Sequence, residues 1–225
     1  MTTNNSEPGP VIPSMISIVD YGMGNLRSVE KALEKLGCDT QFVTTAEAID
    51  AADSVILPGV GAFGDAMAEL RRHGLVEPLQ RYASSGKPML GICLGMQVLF
   101  ESSDEAPDVQ GLGVLAGRVC RMAPHDGLKI PHMGWSGLTV KPGSRLLESV
   151  ENGTHVYFVH SYHVCPAEES VIAAECWHGC RVVAAVERGA LWGTQFHPEK
   201  SQAAGLAILA NFAKVAGGVS SLTSP

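Results

Sequence analysis

Basic residues are scarce in this sequence, and no run of them occurs. Its 225 residues include 16 Lys and Arg against 23 Asp and Glu, which gives a formal net charge of −7. Proteins that bind nucleic acid usually carry a basic surface that neutralises phosphates. The charge balance therefore argues against a nucleic acid partner.

Long apolar runs are also absent, which argues against a membrane protein. No apolar stretch approaches the roughly 20 residues that a membrane-spanning helix needs. Residues 1–14 contain three prolines and almost no apolar side chains, so they do not form a secretory signal peptide. We expect 1–14 to be a disordered leader, 15–215 to form the folded domain, and 216–225 to be a flexible tail.

None of the six cysteines forms a C-x-x-C pair, the spacing typical of zinc and redox sites. Without a secretory signal, we expect all six to be reduced and the protein to be cytoplasmic. Cys176, His178 and Cys180 could be read as a metal site, but they lack a second ligand pair. Since His178-Gly179 lies between two β-rich runs, a hairpin turn is favoured and no metal is predicted.

Apolar runs and helical periodicity alternate along the first half of the chain. Strands are predicted at 16–19, 41–43, 54–57 and up to residue 93, with helices between them. Such alternation is typical of a parallel sheet flanked by helices. Beyond residue 107, β-rich runs predict added antiparallel strands, and 201–215 is predicted to be a helix with Ser201 as its N-cap. No repeat or linker interrupts the chain, so the prediction is a single-domain α/β sandwich with a mainly parallel central sheet.

The segment 86–100 places a cysteine at a predicted corner between strand and helix. A short buried strand ends at Cys93, and the apolar positions after it recur at helical spacing through Phe100. Gly91 and Gly95 flank the cysteine, as a tight turn without room for neighbouring Cβ atoms requires. Over a helix N-terminus, the thiolate is favoured. A buried structural cysteine is the alternative, which this motif alone does not exclude.

Two glycine-rich stretches follow predicted strands. Gly59, Gly61 and Gly64 match a dinucleotide-binding pattern, but the following acidic residue is missing, and the stretch at 22–27 lacks its third glycine. The competing use of 59–61 is an oxyanion loop, because its backbone N–H groups could point towards Cys93 if the two strands are neighbours.

His197 is followed by Pro198 and Glu199, which indicates a particular geometry. The proline holds an extended turn, so the carboxylate can lie beside the imidazole and hold its tautomer. Cys93, His197 and Glu199 then satisfy the roles of nucleophile, base and orienting carboxylate. His132 and His160 could present polar groups to a pocket or be structural, and their spacing does not decide between these uses.

The stretches G-I-C-L-G-M-Q at 91–97 and H-P-E at 197–199 together resemble the signature of class I (triad-type) glutamine amidotransferases. The stretches at 21–26, 57–63, 131–135 and 158–162 resemble the glutaminase subunits of imidazole glycerol phosphate synthases, and the similarity spans about 15–212. This resemblance implies hydrolysis of glutamine to glutamate and ammonia through a thioester on Cys93, with no cofactor.

The resemblance also implies roles for further residues. The oxyanion hole would use the N–H of Leu94 and a donor among Gly59, Val60 and Gly61. The glutamine pocket would contain Gly61, Gln97, Glu105, Ser161 and Tyr162. The implied partner is a (β/α)8-barrel cyclase of histidine biosynthesis, which forms a heterodimer with the glutaminase and takes up the ammonia.

Residues expected at or near the docking face are Asn25, Trp135, Tyr157 and Lys200, each of which could also be an ordinary surface or core residue. Three other functions stay open: a glutaminase subunit of another amidotransferase, a stand-alone cysteine hydrolase, and a module that binds a nucleotide through its glycine loops.

Overall fold

The computed structural model describes residues 15–123 and 129–217 of the chain. The predicted leader at 1–14 and residues 218–225 of the predicted tail lie outside the described residues. Strands and helices alternate in the first half, in the order β1 (Ile16–Val19), α1 (Leu26–Glu34), β2 (Thr40–Val43), α2 (Ala46–Ala51), β3 (Ser54–Gly59), α3 (Phe63–Arg72), α4 (Val76–Ser84), β4 (Met89–Cys93) and α5 (Leu94–Gln97).

The second half is mostly strand, as predicted. It contains β5 (Phe100–Ser103), β6 (Leu115–Arg121), β7 (His132–Gly137), β8 (Thr139–Val140), β9 (His155–His160), β10 (Tyr162–Pro166), β11 (Ile172–Trp177), β12 (Arg181–Arg188), β13 (Leu191–Thr194) and the final helix α6 (Gln202–Val215). Two short 3₁₀ helices, Glu169–Val171 and Pro198–Lys200, precede β11 and α6.

One eight-stranded sheet, in the order β2-β1-β3-β4-β13-β12-β11-β8, forms the centre of the molecule. The five strands from β2 to β13 are parallel, and β12, β11 and β8 extend the sheet in antiparallel fashion. The α/β class and the mainly parallel sheet are therefore confirmed. The carboxyl ends of β3, β4 and β13 lie side by side at one edge, where ligands of parallel sheets usually bind.

Each face of the central sheet packs against its own layer of helices. Along β3, Val55 and Leu57 belong to one buried core and Ile56 to the other, because successive strand side chains point to opposite faces. Helices α3 and α4 cover the first face, and α1 and α6 cover the second. Burial on both faces explains why β3 and β4 are almost continuously apolar in sequence.

The expectation of six reduced cysteines is wrong for one pair, because the structure joins Cys120 and Cys165 by a disulfide. In the antiparallel ladder of β6 and β10, Cys120 lies opposite His163 and Cys165 lies opposite Arg118. The two cysteines thus lie diagonally on the same face, with their Cα atoms 6.2 Å apart. The sequence did not indicate strand β10, so this proximity was not predicted.

Two local predictions also need correction. The helix after Cys93 ends at Gln97, and Phe100 begins strand β5 instead of continuing the helix. Ser201 precedes α6 but does not cap it with its side chain. Its hydroxyl donates to the carbonyl oxygen of His197 at 2.7 Å and accepts from the N–H of Tyr157 at 2.9 Å, so it ties strand β9 to the turn at His197.

His178 and Gly179 lie in the turn of the β11–β12 hairpin, as predicted. Residues 15–123 and 129–217 contain no group of three or more His, Cys, Asp or Glu side chains that could hold a metal ion. Among the helices of these same ranges, none is long and apolar enough to cross a membrane.

Candidate active site

Cys93 lies at a strained corner between β4 and α5. Its φ of 56° and ψ of −112° are unusual for a residue with a side chain, and this strain is typical of a nucleophile turn. A Cβ on Gly95 would lie 1.8 Å from the carbonyl oxygen of Leu57, and one on Gly91 would lie 2.7 Å from the carbonyl oxygen of Gly95. The predicted corner and its need for flanking glycines are confirmed.

The glycine loop after β3 lies directly beside Cys93. Strands β3 and β4 are parallel neighbours, and Gly59 pairs with Cys93 in their register. A Cβ on Gly59 would lie 2.8 Å from the backbone nitrogen of Gly95, so the loop can approach the corner only because this residue is glycine. Gly61 follows with a φ of +97°. The predicted adjacency is confirmed, while the loop's role as an oxyanion donor stays a prediction.

Tyr21 supports this loop, a contact that the sequence did not reveal. Its buried hydroxyl donates to the carbonyl oxygen of Pro58 at 3.0 Å. Burial, and secondarily the charge of Cys93, raise the pKa of the Tyr21 hydroxyl, so it remains a donor at neutral pH. The hydrogen bond holds the peptide that precedes Gly59.

His197 and Glu199 form a buried pair at the carboxyl end of β13, the neighbour of β4 on its other side. His197 Nδ1 lies 2.7 Å from Glu199 Oε1, and the two side chains are 2% and 1% exposed. Because a carboxylate only accepts, Nδ1 carries a hydrogen and the tautomer is fixed. The 3₁₀ turn that begins at Pro198 brings Glu199 alongside the imidazole, as predicted.

The electrostatics of His197 favour its protonated form. Burial alone would lower the pKa of His197, but hydrogen bonds to Cys93 and Glu199, together with their negative charges, raise it to about 9. His197 thus interacts with both Cys93 and Glu199, which is the arrangement that the sequence predicted. An imidazolium beside the sulfur is suited to stabilising a thiolate.

A cavity of about 330 Å³ opens over Cys93, large enough for a free amino acid. Its wall includes the five residues that the resemblance assigned to glutamine, which are therefore close together in space. The lining residues are Val60, Gly61, Cys93, Leu94, Gln97, Glu105, Pro131, Val159, His160, Ser161, Tyr162 and His197.

Two of these pocket side chains are held by hydrogen bonds. Glu105 Oε2 accepts from the backbone N–H of Phe63, the first residue of α3, at 2.8 Å. Gln97 Nε2 donates to the carbonyl oxygen of Tyr162 and to Gln195 Oε1, each at 3.0 Å. Both side chains are thereby pre-organised at the cavity wall.

His132 and His160 form a buried pair next to the cavity. His132 stacks between Phe158 and His178, with ring centroids 4.6 and 4.1 Å apart, and its Nδ1 lies 3.0 Å from His160 Nε2. Burial is the main cause that lowers the pKa of His132 to about 4 and that of His160 to about 3. Both rings are neutral at physiological pH and remain able to accept hydrogen bonds.

Gln195 is the site residue that sequence reasoning missed. It is completely buried, and its Nε2 lies 3.8 Å from Cys93 Sγ. The sequence indicated its importance only by its position, because it is a polar residue at the end of an apolar strand and lies two positions before the predicted base. Only the pairing of β13 with β4 shows that its amide reaches Cys93.

Three of the four residues expected at a docking face are close to the His197–Glu199 pair. Trp135 and Tyr157 lie opposite each other on β7 and β9, with ring centroids 6.0 Å apart. The carbonyl oxygen of Tyr157 accepts from the N–H of His197 at 3.0 Å, and Lys200 directly follows Glu199. Asn25 precedes α1, which packs against the 3₁₀ turn containing Lys200.

Residues 17–216 match the family model described as "Glutamine amidotransferase class-I". This chain belongs to the class I glutamine amidotransferase family. Relatives at high identity include the "Imidazole glycerol phosphate synthase subunit HisH" of Rhodopirellula baltica, 52% identical over 199 residues, which span 88% of this chain and 97% of that protein. The protein of the same name from Desulfitobacterium hafniense is 52% identical over 200 residues, which span 89% of this chain and 94% of that protein.

Two solved structures share the fold. A crystal structure described as a glutamine amidotransferase superimposes with a TM-score of 0.71 at 22% identity, covering 90% of this chain and 98% of its own. A structure of PurLQS from Thermotoga maritima gives a TM-score of 0.72 at 21% identity, covering 90% of this chain and 99% of its own. At these identities the likeness concerns the fold alone.

Proposed function

We propose that this chain is the glutaminase subunit of an imidazole glycerol phosphate synthase and that Cys93, His197 and Glu199 are its catalytic triad. The observation that carries the proposal is the buried His197–Glu199 pair beside Cys93, under a cavity of amino-acid size. The name shared by relatives that are about half identical to this chain supports the choice of pathway.

The reaction begins when the Cys93 thiolate attacks the carboxamide carbon of glutamine. The negative charge that develops on the carboxamide oxygen is held by the N–H of Leu94 and by a donor from Gly59, Val60 or Gly61. His197 gives its proton to the departing ammonia, which leaves a glutamyl thioester on the sulfur. A water molecule activated by His197 then hydrolyses the thioester and releases glutamate.

Glutamine is held by groups on the cavity wall. Glu105 supplies a carboxylate for the α-ammonium group, and Gln97, Ser161, Tyr162 and Gly61 supply hydrogen-bonding groups around it. Since Phe63 holds Glu105 and Tyr162 holds Gln97, little side-chain ordering remains to be done when the substrate binds.

The ammonia passes to a (β/α)8-barrel cyclase in a heterodimer, because ammonia that escapes into solvent is protonated and lost. Exposed apolar side chains near the triad, Met133 and Trp135, support a docking surface there, together with Asn25, Tyr157 and Lys200. A biosynthetic role of this kind places the protein in the cytoplasm. The chemistry needs no cofactor, metal, nucleic acid or membrane.

Ammonia release from glutamine tests this function. Wild type, Cys93→Ala and the control Cys180→Ala are each assayed alone and with the cyclase and its nucleotide; Cys180 is a free, partly exposed cysteine in the β11–β12 hairpin. We expect wild type and Cys180→Ala to be slow alone and fast in the complex, and Cys93→Ala to be inactive in both. Activity in Cys93→Ala would exclude the triad, and equal rates with and without the cyclase would exclude control by the partner.

Covalent labelling separates the remaining functions. A glutamine analogue with an electrophilic side chain should alkylate Cys93, whereas a cysteine hydrolase for another substrate would not react. A glutaminase of a different pathway would be labelled but would not be stimulated by the cyclase.

A further inference from the structure

The buried amide of Gln195 lies between that of Gln97, on the wall of the glutamine pocket, and Cys93. The proposed mechanism does not use Gln195. Gln195 follows β13, which pairs with β4 so that Thr194 lies opposite Ile92, and this register places Gln195 beside Cys93. Its side chain has no exposed surface. Burying an amide is costly unless both its oxygen and its nitrogen are hydrogen-bonded. The partners of Gln195 therefore indicate how its amide is oriented.

The orientation of the two amides follows from the carbonyl oxygen of Tyr162, which can only accept. Gln97 must therefore present its NH2 group to this oxygen, at 3.0 Å. The same nitrogen lies 3.0 Å from the Gln195 amide, so Gln195 must present Oε1 to it. The other end of Gln195, the Nε2 donor, then faces Cys93 Sγ at 3.8 Å.

The Tyr162 carbonyl oxygen is itself anchored from the opposite side. It lies 2.8 Å from His160 Nδ1, which must donate to it, so His160 Nε2 is left to accept from His132 Nδ1 at 3.0 Å. His132 Nε2 in turn lies 2.8 Å from the hydroxyl of Ser136, which donates. Every group in this series of hydrogen bonds has a defined donor or acceptor role. If the oxygen and nitrogen of the Gln195 amide were exchanged, its NH2 group would face the NH2 group of Gln97.

The imidazole of His197 is a second group that interacts with the sulfur. Glu199 accepts a hydrogen bond from His197 Nδ1, and interaction with Cys93 is among the causes that raise the pKa of His197. A sulfur atom between the imidazolium of His197 and the NH2 group of Gln195 is in an environment that suits an anion, since a thiolate only accepts.

We propose that Gln195 is a positioning residue that stabilises the Cys93 thiolate and links it to the substrate-binding amide of Gln97. Ionisation moves the thiol proton to His197, and Gln195 keeps its protons and donates a hydrogen bond to the resulting anion. The inference rests on the proposed glutaminase function and adds a residue to its site.

The pH dependence of Cys93 alkylation tests this role without requiring turnover. Iodoacetamide is uncharged, so its rate of reaction follows the thiolate fraction, and mass spectrometry of the Cys93 peptide excludes signal from other cysteines. Gln195→Met removes the donor at similar size, Gln195→Glu replaces it with an acceptor, and Gln41→Met on the edge strand β2 is the control.

We expect the midpoint of the alkylation profile to move up by about one pH unit in Gln195→Met, which is roughly a tenfold loss of rate below the midpoint. The shift should be larger in Gln195→Glu, because a carboxylate next to the sulfur repels the thiolate. Gln41→Met should follow the wild-type profile.

Unshifted profiles in both folded Gln195 variants would overturn the proposal. If Gln195→Met does not fold, as judged by its thermal unfolding, Gln195→Glu decides, because it keeps the size of the side chain and an acceptor for Gln97. Glutaminase activity of the complex is measured in parallel. If wild-type Cys93 is alkylated but the complex releases no ammonia, the proposed function is refuted. The shift of the alkylation midpoint in the Gln195 variants would still test whether Gln195 stabilises the thiolate.

Discussion

Gly95 packs so tightly against Leu57 that a Cβ at residue 95 would lie 1.8 Å from the Leu57 carbonyl oxygen. This contact joins the first turn of α5 to strand β3 and brings the glycine loop to the side of Cys93. The position of Cys93 therefore depends on the absence of a side chain two residues away.

Gly95→Ala should destabilise the protein strongly. The atom that the new Cβ meets belongs to the backbone of a central strand, so no flexible side chain can move aside, and we expect a loss of about 2–4 kcal/mol in the free energy of unfolding. Urea unfolding measures this change. Gly64→Ala in α3 is the control, because its Cβ would only touch the Ala106 Cβ at 3.4 Å and alanine favours a helix. A loss in Gly95→Ala no greater than that in Gly64→Ala would contradict the explanation.

Glu199→Gln should nearly abolish glutamine hydrolysis while leaving the fold intact. The amide is of the same size, but it can present a donor to His197 Nδ1 and no longer stabilises an imidazolium, so we expect kcat to fall by about 10²- to 10⁴-fold. Ammonia release by the complex with the cyclase measures the loss. Glu148→Gln, at an exposed carboxylate near α6, should retain full activity. Activity above a tenth of wild type in Glu199→Gln would speak against an orienting role.

Sequence reasoning succeeded where local pattern determines structure. Strand β1 has the predicted bounds, and the apolar runs at β3 and β4 were correctly predicted to be strands. The corner at Cys93 was predictable because its constraint, the flanking glycines, lies within two residues. The contact between His197 and Glu199 was predictable because the two residues lie two positions apart and both follow a strand.

The sequence was uninformative where a residue acts through distant partners. Gln195 contacts Cys93 across 102 positions, and its role depends on which strand neighbours β4. Cys120 and Cys165 are 45 residues apart and meet only because β10 pairs with β6 in one register. Ser201 had the properties of an N-cap, but hydrogen bonds to His197 and to the distant Tyr157 occupy its hydroxyl.

Stability should fall as the pH is lowered through the range where His132 and His160 resist protonation. Their pKa values in the folded state are lowered to about 4 and about 3, below the ordinary histidine value of about 6.5, so below that pH the unfolded chain binds protons that the folded chain does not. The contribution of the two neutral histidines to the free energy of unfolding is fully present above pH 6.5. Below that pH it falls by on the order of 1 kcal/mol per pH unit for each histidine. His197, whose pKa is raised, is protonated in both states below pH 6.5 and adds no opposing slope.

Urea unfolding between about pH 6 and pH 4.5 measures this slope, because His197 adds no opposing slope in this range. His160→Gln, which can keep both hydrogen bonds without titrating, should give a shallower curve. His163 is also buried with a lowered pKa, so part of the slope should remain. Replacing the exposed His155 with Gln should leave the curve unchanged. A wild-type curve that is flat over this range would contradict the neutral state of the buried pair.

Trp135→Ala should weaken binding of the cyclase without affecting the nucleophile. Trp135 is 45% exposed and packs edge-on against Tyr157 beside the triad, and large aromatic side chains of this kind contribute much of the affinity of protein interfaces. We expect the Kd measured by titration calorimetry to rise by about 10- to 100-fold, with an unchanged rate of Cys93 alkylation in the isolated chain. Trp177→Ala is the matched control, since Trp177 is 72% exposed at the end of β11 and is not among the residues expected at the docking face. An unchanged Kd for Trp135→Ala, or a larger loss for Trp177→Ala, would place the cyclase on a different surface.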